Sequence, residues 1–220
     1  MKKSKLARLI AAICCFAMLL TACSSNQTSA ESGGDGSTTA DSEKKVLTYA
    51  IGAETTDLST LYMNNSLYCT SKLVYENLVD FDNGEIVPGL AESWEYNDDQ
   101  TELTFHLRQG VTFHNGEPFN AEAVKTNLEH KQSNPSFYSL KGITDIQEIE
   151  VVDEYTITLH YDHPFYAYLQ DFCWPDVNPM SAPEYILPGD FQTISGVAGT
   201  GPYIYDEYVA GEYTRFVRNE

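Results

Sequence analysis

The chain has 220 residues, and its 13 Lys and Arg residues stand against 32 Asp and Glu residues, which gives a formal net charge of −19. This charge argues strongly against nucleic acid or an anionic lipid surface as the partner, because both bind positively charged proteins. The composition suits a soluble protein that works outside the cell, and it is only a weak indication of a cationic ligand.

The first 22 residues are predicted to be an export signal. Basic residues near the start precede an apolar core, Leu9–Leu20, that is too short to span a bilayer as a stable helix. Leu20-Thr21-Ala22-Cys23 has the pattern of a bacterial lipobox, which predicts that Cys23 is lipidated and anchors the protein to the membrane. The alternative is an ordinary secretory signal followed by a chance cysteine.

Residues 23–45 are predicted to be a flexible linker. Small and acidic residues dominate Ser24–Glu43, and no large apolar side chain occurs among them. Such a segment cannot bury enough surface to offset the entropy that it would lose on ordering. We therefore expect it to hold the folded part of the protein away from the membrane.

The folded part is expected to begin with a strand at Val46–Gly52, whose apolar residues on both faces are typical of an α/β sheet. A helix is predicted from about Ser66, and its inner stripe is formed by Leu67, Ser71, Val74 and Leu78. Asp82-Asn83-Gly84 then predicts a hairpin between residues 79–81 and 86–87.

The stretch Pro88–Val124 contains the clearest local patterns of the chain. Apolar and polar residues alternate through Thr101–Arg108, which predicts a strand with one buried face. The turn cluster Asn97-Asp98-Asp99 pairs this strand with Ser93–Tyr96 in a predicted hairpin.

A second turn is predicted at Asn115-Gly116, because both residues tolerate positive φ. Asn120 is placed to cap the next helix, with Val124 and Leu128 on its inner face. Residues 133–139 are predicted to form a loop that exposes its two aromatic residues, Phe137 and Tyr138.

The remaining chain alternates between strands and short helices. A strand pair is predicted at Ile146–Val152 and Tyr155–Tyr161, and Pro164 suits the first position of a helix that ends at Trp174-Pro175. The last elements are a short helix, a glycine-rich connection and a hairpin: Pro179–Leu187, Ile194–Gly201, and Tyr203–Val209 with Tyr213–Arg218.

Three patterns each have a functional and a structural interpretation. Gly196–Gly201 is glycine-rich like a phosphate loop, but Pro202 and a predicted strand follow it, which favours a structural turn. His160 and His163 are spaced unlike a closed metal site, which favours locally bonded histidines. Export permits a disulfide between Cys69 and Cys173, and two buried free thiols are the alternative that we favour.

No catalytic site is predicted. The chain has no GxSxG nucleophile motif, and its acidic pairs, Asp98-Asp99 and Asp153-Glu154, lie at predicted turns. Carboxylates on exposed turns are poor general acids, since nothing raises their pKa. We therefore expect a protein that is not an enzyme and that carries no cofactor or structural metal.

Long ordered sections of the chain resemble the family 5 extracytoplasmic solute-binding proteins, which are the peptide and nickel receptors of ABC importers. The sections PGLAESWE and LTFHLRQGVTFHNGEPFNAEAV, within Pro88–Val124, match the signature region of this family nearly throughout. The resemblance extends to LTYAIG, LVYENLV, GTGPY and FVRNE, and it covers essentially all of the mature chain.

This resemblance implies an α/β, two-lobed fold of the type II periplasmic-binding-protein class, of which only the first lobe and its accessory subdomain are expected in this chain. Residues 46–65 and 179–220 would form the core of the first lobe, and residues 66–178 the accessory subdomain. Family members close two lobes around a ligand by a hinge motion. A single lobe should therefore not retain a ligand.

The resemblance also suggests ligand-binding residues. Residues that follow the first strand line the cleft in this family, which implies Tyr62, Met63, Asn64 and Asn65; the alternative is a surface loop. Trp174 and Asp176 fall near the hinge, where nickel-type members carry an arginine that faces an anionic chelator. An aspartate at this position favours a cationic group, such as a peptide amine.

The function implied is that of a substrate-binding lipoprotein that captures short peptides and delivers them to the permease and ATPase of an ABC importer. Its place would be outside the cytoplasm, on the bacterial cell membrane. A nickel or metal-chelate receptor of the same family is the first alternative. An extracellular hydrolase and a lipoprotein adhesin are the alternatives from other classes.

Overall fold

The computed structural model describes residues 46–50, 68–134, 137–164, 166–174, 180–186 and 196–220. The chain divides into units of residues 1–48 and 49–220, and the helices and strands below belong to the second unit. In chain order they are α1 (Tyr68–Val74), β1 (Val79–Asp82), β2 (Glu85–Pro88), β3 (Ala91–Tyr96), β4 (Glu102–Leu107), α2 (Ala121–Ser133), α3 (Lys141–Thr144), β5 (Ile146–Asp153), β6 (Thr156–Tyr161), α4 (Tyr168–Asp171), a 3₁₀ turn (Pro183–Tyr185), β7 (Tyr203–Val209) and β8 (Tyr213–Arg218).

The largest sheet has four antiparallel strands in the order β3-β4-β6-β5. The alternation predicted for β4 is confirmed, because Leu103, Phe105 and Leu107 are all buried on one face. Phe105 meets Phe172 edge to face, with 5.3 Å between the ring centroids. This apolar face of the sheet is part of the core that holds the domain together.

Both outer hairpins form at the predicted turns. Between β1 and β2, Asn83 and Gly84 have φ values of 50° and 88°, the left-handed conformation that these residues tolerate best. The chain between β7 and β8 turns at Gly211, whose φ is 73°. Local turn chemistry therefore explains both hairpins.

Helix α2 begins where the sequence predicts. The side-chain oxygen of Asn120 accepts a hydrogen bond of 2.9 Å from the backbone N–H of Ala123, which confirms the N-cap. Val124 and Leu128 are buried, and the helix packs against β5 and β6. None of the helices in the described ranges is long and apolar enough to cross a membrane.

Two predictions near the start of the folded part need correction. Residues 46–50 form no strand, and Val46 and Leu47 are 85% and 87% exposed, while residues 51–52 lie outside the described residues. Helix α1 ends at Val74, before the predicted position Leu78. From Val74 onward, backbone carbonyls bond to distant segments instead of continuing the helix: Val74 accepts from Gly201, Glu76 from Met180 and Asn77 from Leu90.

Two predictions in the middle of the chain were also wrong. Phe137 is fully buried rather than exposed, whereas Tyr138 is exposed as predicted. Helix α4 begins at Tyr168 and not at Pro164. The Tyr168 ring stacks on Tyr161 with 3.9 Å between the centroids, so that a tertiary contact places the start of this helix.

Candidate functional site

Trp174 is the one predicted ligand-binding residue within the described ranges. Its side chain is 51% exposed, next to the buried Phe172 and Cys173. The carbonyl of Cys173 accepts a hydrogen bond of 3.3 Å from the side-chain amide of the buried Asn77. The backbone beside Trp174 is therefore attached to the chain that follows α1, and the indole remains available at the surface.

The other predicted site residues lie outside the described residues. These are the residues predicted to line the cleft, the predicted partner of a cationic group and the lipidation site: Tyr62, Met63, Asn64, Asn65, Asp176 and Cys23. Their roles stay predictions.

The structure describes the chain on either side of residues 175–179. We use the term return segments for residues 180–182 and 198–201, which run side by side, with 2.9 Å between the backbone nitrogen of Ala182 and the carbonyl oxygen of Ala198. Both segments bond to the chain at the end of α1. Met180 N–H donates to the Glu76 carbonyl over 3.0 Å, and Gly201 N–H donates to the Val74 carbonyl over 2.8 Å.

Glycine is required where the second return segment meets α1. A Cβ atom at Gly201 would lie 2.7 Å from the carbonyl carbon of Val74 and 2.8 Å from the Leu73 oxygen, and one at Gly199 would overlap the Val74 oxygen. The glycines thus permit close contact between two backbones. This geometry confirms the structural interpretation of the glycine-rich connection.

Asn127, in α2, and His114, just before the Asn115-Gly116 turn, hold the return segments in place. The sequence analysis assigned this role to neither residue. Asn127 bonds both backbone groups of Ser181, and His114 bonds the carbonyls of Gly199 and Gly201. Only a weak signal for Asn127 was present in the sequence, because it is one of three buried polar residues of α2, with His130 and Lys131. Nothing in the sequence near His114 indicated its partner.

The histidines that were considered as a metal pair bond to carboxylates instead. His160 Nε2 lies 3.0 Å from Glu150 Oε2, and His163 Nδ1 bonds the side chain of Asp162. Within the described ranges, no group of three or more His, Cys, Asp or Glu side chains is placed to hold a metal ion. These contacts confirm the interpretation of locally bonded histidines.

Cys173 is a buried free thiol, as the favoured interpretation predicted for this residue. Burial raises the pKa of this thiol to about 12, and the neighbouring carboxylates of Asp80 and Asp171 add to the increase. The group therefore stays protonated at neutral pH, and a protonated thiol is a poor nucleophile.

Comparison with known proteins identifies the family. A family model described as bacterial extracellular solute-binding proteins, family 5 middle region, matches residues 85–220. The nickel-binding periplasmic protein of Escherichia coli K12 is 33% identical over 73% of this chain and 31% of its own length. The glutathione-binding protein GsiB of Pectobacterium atrosepticum is 33% identical over 78% of this chain and 33% of its own length.

A solved structure of a solute-binding protein is also similar to this chain. NikA from Brucella suis, crystallised with Fe(III)-EDTA, is 34% identical, and its TM-score is 0.68 over 73% of this chain and 33% of the other. The chain thus spans about a third of the length of the relatives it matches. The predicted α/β fold of the type II periplasmic-binding-protein class is confirmed, and the chain belongs to the family 5 bacterial extracellular solute-binding proteins.

Proposed function

We propose that this protein is the substrate-binding lipoprotein of an ABC importer and that it captures short peptides outside the cytoplasm. The family match over residues 85–220 carries the proposal. Its named relatives are binding proteins, and the E. coli relative is periplasmic. In this function the ligand is held between two lobes and released to the permease when they open.

Peptides are the ligand class that the chain itself favours. GsiB is named for glutathione, a tripeptide with a free amine. Asp176 supplies a carboxylate near the proposed hinge, where a cationic amine would gain a charge-assisted hydrogen bond. We place Tyr62, Met63, Asn64, Asn65 and Trp174 in the same proposed cleft, where tyrosine and tryptophan offer rigid apolar faces with a polar atom.

A metal-chelate receptor is the second candidate. It is favoured by the identity to the nickel-binding protein of E. coli and by the likeness to NikA. The aspartate at residue 176 argues against an anionic chelate as the ligand, because the two negative charges would repel each other at close range.

The proposed domain division assigns residues 66–178 to an accessory subdomain and residues 46–65 and 179–220 to the first-lobe core. The four-stranded sheet and α2 lie within residues 66–178. Their apolar core also includes Met180, Ala182 and Ala198, so the two proposed parts pack against each other.

Replacing Asp176 by Asn tests the peptide proposal. In a receptor with both lobes present, we expect trialanine to raise the Tm of the wild-type protein, because a ligand at a hundred times its Kd adds about 2.7 kcal/mol to the stability. The substitution should weaken trialanine binding by about 10- to 100-fold, since hydrogen bonds to charged groups contribute about 1.5–3 kcal/mol. N-acetyl-trialanine, which has no amine charge, should bind both proteins equally.

Asp162→Asn is the control, because this carboxylate is exposed and bonds His163. A Tm that rises with a nickel–histidine complex and not with trialanine would favour the metal-chelate receptor. A Tm that no peptide or chelate raises would favour an adhesin, and turnover of trialanine would favour a hydrolase.

The lipid anchor makes a separate prediction. Cys23→Ser should move the protein from the membrane fraction to the soluble extracytoplasmic fraction, because this substitution removes the thiol to which the lipid would be attached. Cys14→Ser, within the predicted signal, is the matched control and should leave the distribution unchanged. Wild-type protein that is soluble, with no lipid adduct on its first peptide by mass spectrometry, would contradict the anchor.

A further inference from the structure

We propose that Asn127 and His114 are positioning residues that form an internal latch, which fixes the return segments to α2 and to the chain just before the Asn115-Gly116 turn. The latch consists of these two side chains, both of which reach residues far away in sequence. In the proposed receptor, it would make the return segments and the four-stranded sheet move as one body when the lobes close. Only this last statement rests on the proposed function.

Asn127 forms the first point of the latch. Its side-chain nitrogen donates to the Ser181 carbonyl over 2.8 Å, and its side-chain oxygen accepts from the Ser181 N–H over 2.9 Å. The same nitrogen donates to the Ala123 carbonyl of its own helix over 2.9 Å, which fixes the orientation of the amide. One side chain thus occupies both backbone groups of Ser181, as a neighbouring strand would do.

The burial of this pair makes it sensitive to substitution. Asn127 is 1% exposed, and Ser181 is fully buried. A buried backbone group that loses its partner costs about 1–3 kcal/mol, more than a bond at the surface would contribute.

His114 forms the second point. Its backbone N–H donates to the Gly199 carbonyl over 2.8 Å, and its ring Nε2 lies 2.9 Å from the Gly201 carbonyl oxygen. A carbonyl oxygen only accepts, so Nε2 must carry the proton in this contact. Asn219 also donates to the Gly201 carbonyl over 3.1 Å, and the ring of His114 therefore shares this acceptor.

The two points act on different return segments, and the segments also bond to each other. Asn127 holds residue 181, His114 holds residues 199 and 201, and the bond from Ala182 to Ala198 joins the two. These contacts add to the backbone bonds from Met180 to Glu76 and from Gly201 to Val74, which hold the same segments at the end of α1. Loss of either side chain should therefore loosen bonds in which that side chain takes no part.

Amide hydrogen exchange on the protein tests this prediction without any ligand. The informative amides are those of Met180, Ala182 and Gly201, because their acceptors are backbone carbonyls and not the latch side chains. Amides of β4 and β6 report unfolding of the sheet. Asn127→Ala should speed exchange at Met180 and Ala182 by about 10- to 100-fold and leave β4 and β6 unchanged, since each 1.4 kcal/mol is tenfold.

Conservative variants separate positioning from general destabilisation. Asn127→Asp keeps the acceptor for Ser181 N–H and loses the donor, so it should also speed exchange at Ala182. His114→Leu should speed exchange at Gly201 by about tenfold, a smaller effect because Asn219 remains on the shared carbonyl. His114→Gln, which restores a nitrogen donor, should return exchange at Gly201 toward the wild-type rate.

Thr126→Ala and His160→Gln are the controls. The hydroxyl of Thr126 donates to the Glu122 carbonyl of the same helix, outside the return segments. His160 lies on the outer face of the sheet beside Glu150. Neither should change exchange at Met180, Ala182 or Gly201. The latch is contradicted by wild-type exchange at these amides in Asn127→Ala and His114→Leu, or by an equal increase in β4 and β6.

Discussion

Gly199→Ala is expected to lower the free energy of unfolding by about 1–3 kcal/mol, the usual cost of forcing an extra methyl group into a packed site. The reason is that the new Cβ would overlap the carbonyl oxygen of Val74 and press on the ring of Tyr75. A backbone carbonyl at the end of α1 cannot rotate away as a side chain can. Urea denaturation followed by circular dichroism measures the loss.

Gly196→Ala is the matched control for this prediction. It lies in the same glycine-rich connection, but the atoms nearest to its Cβ would belong to the half-buried ring of Tyr185, at 2.7 Å. A side chain can move, so we expect a smaller loss than at Gly199. Equal stabilities of the two variants would show that the second return segment does not press against α1 as described.

The local elements of this fold follow from the sequence because their causes are local. The alternation around Phe105, the positive φ at Asn83 and Gly84, and the cap at Asn120 each depend on residues within a few positions. The strand order is different. Thr104 and Thr158 share a hydrogen bond of 2.9 Å across β4 and β6 although 54 residues separate them, and no local pattern specifies that pairing.

The errors in helix bounds have the same physical origin. Helix α1 stops at Val74, whose carbonyl bonds to the N–H of Gly201 instead of continuing the helix. Helix α4 starts where Tyr168 stacks on Tyr161, and Phe137 is buried although polar residues surround it in the sequence. In each case a tertiary contact overrides a local preference.

In the candidate site, the sequence predicted some features and missed others. The resemblance supplied the family, which the comparisons confirmed, and the glycines at residues 199 and 201 were correctly assigned a structural role. The bonds from His114 to the second return segment span more than 80 residues, as the 87-residue separation from Gly201 shows. Such a contact depends on the finished fold, and a histidine before an Asn-Gly turn gives no sign of it.

Lys131→Met is expected to raise the free energy of unfolding by about 2 kcal/mol at pH 6, because a buried ammonium is costly even when its polar contacts recover part of its hydration. Lys131 lies in α2 and is 1% exposed. Burial lowers the pKa of its side chain from 10.5 to about 7. Methionine is similar in length and volume and carries no charge.

The lowered pKa of Lys131 determines how its effect on stability changes with pH. The pKa of Lys131 is lower in the folded than in the unfolded chain, so the unfolded chain binds more protons between about pH 7 and 10.5. The destabilisation is complete below pH 7 and is relieved as the pH rises toward 10.5. From pH 6 to 8.5, wild-type stability should rise by about 1–2 kcal/mol through this residue, given about 1.4 kcal/mol for each pKa unit.

The cysteine begins to affect the stability only at the upper end of this pH range, and it does so in wild type and variant alike. The raised pKa of Cys173 has the opposite effect, since its folded-state stability is lost as the pH rises above the ordinary thiol pKa of about 8.5. Urea denaturation of wild type and Lys131→Met at pH 6 and 8.5 therefore isolates the lysine. The variant should be more stable at pH 6, and the difference should shrink at pH 8.5.

Lys125→Met is the matched control, because Lys125 lies on the same helix, is partly exposed and pairs with Glu129 over 3.9 Å. An exposed pair of this kind contributes little, so this variant should change stability by less than about 0.5 kcal/mol at either pH. A Lys131→Met protein that is less stable than wild type at pH 6 would mean that the contacts of the ammonium outweigh its burial. A stabilisation equal at both pH values would mean that the ammonium stays charged in the fold throughout this range, so that the gain comes from packing alone.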